Sequence, residues 1–161
     1  MEDVRMKPYH PRKYFAGLSK TRKIKRAAEI KQYGALDWKD PRAYVGFQTD
    51  KGVKTRKSGY TQTLKRIFAK MGHTGVYSLQ EKAKITGVPH KFLLESYNRG
   101  MAAWRTGHRP GASEQAWGHA RVASFLVCGK TYATTDADIA ARAKAASASA
   151  RRWWSATCPK K

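Results

Sequence analysis

Apolar residues recur three and four positions apart along most of this chain, the spacing of one helix face. The strongest run is Phe92, Leu93, Leu94, Tyr97, Met101 and Trp104. It predicts an amphipathic helix opening near Pro89, since proline suits the first helical position. Ahead of it, Ser78-Leu79-Gln80-Glu81 has the spacing of a capping box and opens a short helix ending at Thr86-Gly87. Ala83, Gly87, Val88 and Leu93 fall where a helix-turn-helix unit needs a small residue, a turn glycine and core contacts. Lys82 and Thr86 depart from that pattern, and a plain αα-hairpin explains the same residues. Gly100 lies inside the long helix, where glycine costs about 1 kcal/mol relative to alanine, so a close helix approach is expected there. Beyond it, Trp117, Ala120, Val122, Phe125 and Leu126 predict a helix over 114–127, opened by Ala112 or Ser113 and closed by Gly129. Asp136 and Asp138 open a last, alanine-rich helix to about Ala150, their charge suiting its positive end.

The N-terminal half is less regular. Ser19 is a good N-cap for a helix over 20–33 with Gly34 as its stop. Leu64, Ile67, Phe68 and Met71 predict a helix over 60–71, capped by Ser58 or Thr61. Tyr44, Val45 and Phe47 read as a short strand and Asp50-Lys51-Gly52 as a turn. Pro8 and Pro11 make residues 1–18 an extended arm with aromatic anchors. The fold class is mainly α: a helical domain with a helix-turn-helix-like hairpin and an extended, irregular basic N-terminal arm. The division expected is 1–72 and 73–161.

Charge changes the picture most. Thirty-three Lys and Arg against eleven acids give a net +22, which self-repels unless a polyanion or an acidic protein surface is near. A binding or assembly role is favoured over catalysis. The candidate anion- or partner-binding residues are Lys20, Arg22, Lys23, Lys25 and Arg26 on the first helix, and Lys54, Arg56 and Lys57 in the following loop. Arg121, Arg151 and Arg152 complete the set together with the corner Arg105-Thr106-Gly107-His108-Arg109-Pro110-Gly111. In that corner Arg105, His108 and Arg109 form either an anion cradle or a purely structural tie between helices. Tyr14, Phe15, Trp153 and Trp154 are candidate interface aromatics.

Other chemistries lack a pattern. His108, His119, Cys128 and Cys158 have no metal-ligand spacing. No His has a recognisable acid or nucleophile partner, so neither catalysis nor a cofactor is expected. Cys128 and Cys158, in a chain without a secretion signal, are expected to be free thiols in a reduced compartment. No apolar run reaches membrane-spanning length.

Two stretches carry a resemblance. Tyr14-Phe15-x-Gly17-Leu18-Ser19-Lys20, with Phe47-x-Thr49-Asp50-Lys51-Gly52 and Ser58-x-Tyr60-Thr61, resembles small basic proteins of large double-stranded DNA viruses, including those of algae. The stretch from Tyr97-Asn98-Arg99-Gly100 through the corner to Trp117-x-x-Ala120-Arg121-Val122-x-Ser124-Phe125 resembles an uncharacterised domain of such viruses and some phages. The resemblance implies a viral origin and a place in the virion, with host cytoplasm or nucleus during assembly. The expected function is then a non-enzymatic virion structural protein, a minor capsid protein. Its partners would be capsid or other virion proteins in an oligomeric assembly, and nucleic acid through phosphate contacts. The alternative is a DNA-binding protein that packages the genome or regulates genes through the hairpin.

Overall fold

The computed structural model describes residues 12–36, 47–53 and 58–159. Among these residues there are eight α-helices and no strand: α1 (Lys20–Gly34), α2 (Gly59–Lys70), α3 (Leu79–Thr86), α4 (His90–Trp104), α5 (Glu114–Leu126), α6 (Lys130–Ala133), α7 (Ala137–Ala146) and α8 (Ala148–Thr157). Short 3-10 turns lie at Arg12–Phe15 and Gln48–Asp50. No helix among the described residues is long and apolar enough to cross a membrane.

The helix starts follow local chemistry. Ser19, Ser58 and Ser78 each accept a backbone N–H in the first turn of α1, α2 and α3. Ser78 and Glu81 close the full capping box, and Gly87 ends α3 in the left-handed region at φ 80°.

The residues separate into two compact units. One gathers 12–36, 47–53 and Ala102–Ser113; the other gathers 58–101 and 114–159. The boundary therefore differs from the division at residue 72: α2 clusters with the later helices, and the glycine-proline corner clusters with α1.

The second unit holds the larger apolar core. Leu64 and Phe68 of α2, Phe92 and Leu93 of α4, and Val122, Phe125 and Leu126 of α5 are buried there with Ile139, Trp153 and Trp154. α2 packs against α5, and α8 against α3 and α7. Gly100 is the close approach its position predicts: a Cβ there would sit 2.8 Å from the Cα of Gly118 on α5.

Several expectations are corrected. The start of the described chain is a 3-10 turn, not extended. The expected strand lies mostly outside the described residues. Gly129 does not close α5. Cys128 takes the left-handed turn at φ 61°, and Gly129 donates its N–H back to Ser124 O at 2.7 Å, the outer bond of a Schellman motif. The alanine-rich helix is two helices. Ser147 is extended and accepts the N–H of Ala150, which ends α7 and caps α8. Finally, Cys128 and Cys158 are not free thiols but a disulfide. The turn after α5 and the end of α8 bring their Cα atoms to 5.3 Å, within bonding reach.

Candidate anion- and partner-binding surface

The corner turns out to be the centre of the first unit. His108 has no solvent exposure. Its ring stacks on Trp104 at 4.2 Å and 12° and meets Phe47 at 4.7 Å. Nδ1 lies 2.8 Å from Trp104 O and Nε2 lies 2.7 Å from Asp50 Oδ2. Each ring nitrogen thus faces an oxygen acceptor, a carbonyl on one side and a carboxylate on the other.

Arg26 reaches the same place from α1 and is also fully buried. Its guanidinium donates to Tyr14 O at 3.1 Å, Thr49 Oγ1 at 3.0 Å, Asp50 Oδ1 at 2.6 Å and His108 O at 2.6 Å. It also lies 4.5 Å over the Phe47 ring. One turn further, Glu29 accepts the backbone N–H groups of Gln48 and Thr49. The i, i+3 spacing thus lets α1 hold the 3-10 turn with one cation and one anion. Asp50 also accepts the Gly111 N–H at 3.0 Å. Burial raises its proton affinity, but the bonds and charges of His108, Gly111 and Arg26 outweigh this and hold it below the usual carboxylate range. Gly107, at φ 140°, faces the Tyr14 ring so closely that a Cβ would lie 2.4 Å from a ring carbon. Only glycine fits there. The corner is therefore a packed tie, not an open cradle.

A second polar network lies between α4, α5 and α7. Asp136 is fully buried. It accepts from Ser96 Oγ at 2.9 Å and from Arg121 Nε and Nη2, at 3.1 and 2.7 Å. Arg99 joins it to Asp138 and Glu95, and Arg142 bridges the same two acids.

These networks sort the predicted residues. Arg26, His108 and Arg121 are structural ties and not ligand-facing groups, because each is consumed by internal acceptors. Arg22 donates to Thr49 O and Lys51 O, and Arg105 to Leu36 O at 2.6 Å. Arg109 is half-buried in the corner. Lys20, Lys23 and Lys25 are exposed along α1, and Arg151 and Arg152 along α8. Lys54, Arg56 and Lys57 lie outside the described residues. Tyr14 and Phe15 are half-buried beside the corner unit's α1. Trp153 and Trp154 are core residues, not interface aromatics. They are 8% and 1% exposed, and their Nε1–H groups donate to Leu126 O and Phe125 O. They thereby satisfy carbonyls that the end of α5 leaves open.

What sequence reading missed is a division of labour between the two basic side chains. Every ion pair between described residues joins an acid to an arginine or to His108, never to a lysine. Lys20, Lys23, Lys25 and Lys31 on α1, and Lys65 and Lys70 on α2, all remain exposed. Arginine's planar fork suits fixed multi-acceptor sites, whereas lysine stays a hydrated point charge. Among the described residues no group of His, Cys, Asp and Glu is placed to hold a metal ion.

These features define a small, strongly basic, all-helical protein. The chain belongs to the family of unknown function DUF5824, whose model matches residues 11–142. Nothing among curated proteins or solved structures matches it.

Proposed function

We propose that the protein is a non-enzymatic virion structural component, a minor capsid protein that docks on acidic capsid faces or packaged DNA through exposed lysines. The observation behind the docking is the split just described. Glu29, Asp50, Glu81, Glu95, Asp136 and Asp138 are all engaged inside the fold. The exposed lysines of α1 and α2 therefore form no ion pair with an acid among the described residues. Placement in a virion rests on the resemblance of the Tyr14–Lys20 and Tyr97–Phe125 stretches to proteins of large DNA viruses. The gene-regulator reading has less support. Arg99 and Glu95 of α4 are spent on Asp138 and Arg142, and the Gly87 turn lies under Ser149 of α8, which donates to Gly87 O at 2.6 Å.

Two measurements test this. Duplex DNA binding should weaken linearly in log salt, with little sequence preference. The Lys20→Gln, Lys23→Gln, Lys25→Gln triple variant should flatten that slope by about 0.9 per lost phosphate contact without changing helicity. Quantitative composition of full and genome-free particles should show the protein at fixed stoichiometry in both. Absence from purified particles would sink the virion role and leave the DNA result standing by itself.

A further inference from the structure

The inner face of α1 is spent on the fold: Arg26, Glu29 and Ile30 are buried, and Arg22 is tied to the 3-10 turn. Its outer face carries Ile24, which is 69% exposed. A lone exposed apolar residue is ordinary on a protein surface. The surroundings of Ile24 are not. At about 100° per residue, Lys20 and Lys31 fall within about 40° of it around the helix, and Lys23 and Lys25 lie about 100° to either side. All four lysines are exposed, and none forms an ion pair among the described residues. Ala28, one turn on and also exposed, extends the apolar centre. An isoleucine therefore stands in the middle of a lysine ring on a face that the fold does not cover with any acid of its own.

We propose that this face docks an acidic segment of another protein, with Ile24 as the apolar anchor and Lys20, Lys23, Lys25 and Lys31 as the charged rim. The inference rests on the docking role proposed above and narrows its partner from any polyanion to a protein. Protein interfaces join a desolvated apolar centre to a polar rim, which is the layout of α1. The sign of the rim selects acidic neighbours, and the lysine stems add apolar cover around the anchor while their amines stay in water. A phosphate backbone recruits Lys, Arg and small polar groups and offers an isoleucine no recess. A lipid surface takes helices with a broad apolar face, and one isoleucine beside alanine is too narrow for that.

The test measures binding of the full chain to four probes at one salt concentration. Two are labelled synthetic peptides of equal charge: a glutamate-rich amphipathic helix with a leucine face, and the same sequence with serine for leucine. The others are a short DNA duplex and phosphatidylglycerol vesicles. The leucine peptide should bind about ten-fold more tightly than the serine peptide, the gain expected from burying one large aliphatic side chain. Ile24→Gln keeps helix propensity at an exposed position, so circular dichroism should be unchanged. It should erase the difference between the peptides and leave duplex binding as it was. Equal binding of the two peptides by the unaltered protein overturns the proposal. So does an Ile24→Gln loss on the duplex or on vesicles as large as that on the leucine peptide, since nucleic acid or lipid would then be the occupant. The Lys20, Lys23, Lys25 triple variant should weaken both peptides and the duplex. If it weakens none of them, the docking role itself fails and takes this inference with it.

Discussion

Arg26 has no contact with water, yet it carries a charge that would be costly to bury alone. Asp50 makes that burial tolerable, and His108 shares the same carboxylate. Removing one partner of a buried pair typically costs about 3–5 kcal/mol, because the other charge is left behind. Asp50→Asn should therefore lower urea-unfolding stability at neutral pH by about that amount. The sign with pH follows from the same contacts. The folded carboxyl sits below its unfolded value, so its contribution is full above about pH 4 and is lost as pH falls through the folded value. The variant's acid limb should be flatter than that of the unaltered protein over that window. None of this was readable from the sequence. Arg26 resembles its neighbours Lys25 and Lys23 in composition and helix position. What separates them is a carboxylate 24 residues away and a carbonyl 82 residues away. The corner's two glycines did signal a shaped backbone; they could not say that its imidazole was already occupied.

Helix boundaries and contacts were more legible, because their causes are local. Ser19 and Ser78 announced their helices by side-chain chemistry alone, and Gly100 announced a crossing by its cost. That crossing is testable: Gly100→Ala improves helix propensity by about 1 kcal/mol but pushes a Cβ onto the α5 backbone. Over-packing of that kind costs about 1–3 kcal/mol, so the variant should be neutral to destabilised in thermal melts. Gly118→Ala, facing the Tyr97 ring at 2.7 Å, should behave alike. The end of α8 was not legible, because Trp153 and Trp154 look like a basic, aromatic tail until the α5 carbonyls come within reach. The disulfide closes a 30-residue separation at the same place. Loop-closure arithmetic gives such a bridge about 3–4 kcal/mol. Reduction should lower the melting temperature, while the buried tryptophans keep near-UV circular dichroism folded below it.

At the scale of the whole chain, net charge opposes compactness. With the described acids mostly committed to internal ties, added salt should act on the unpaired remainder. Between about 0.01 and 0.15 M the screening length falls from about 30 to about 8 Å. The melting temperature should rise over that range, opposite to a fold held by surface ion pairs. On the proposed docking role, a short polyphosphate at equal ionic strength should raise it further, since a ligand that binds only the folded state stabilises it. A fall with salt would mean that attraction, not repulsion, dominates the outer charges.

The pairing of the described acids with arginine and not with lysine separates two properties that most basic proteins couple. Acetylation neutralises lysine and leaves guanidinium untouched. Graded acetylation of the exposed α1 and α2 lysines would thus dim the outer charge step by step while Arg26–Asp50 and Arg121–Asp136 stayed intact. Adhesion to a polyanion could be switched off in a molecule that remained folded and ready to be switched on again.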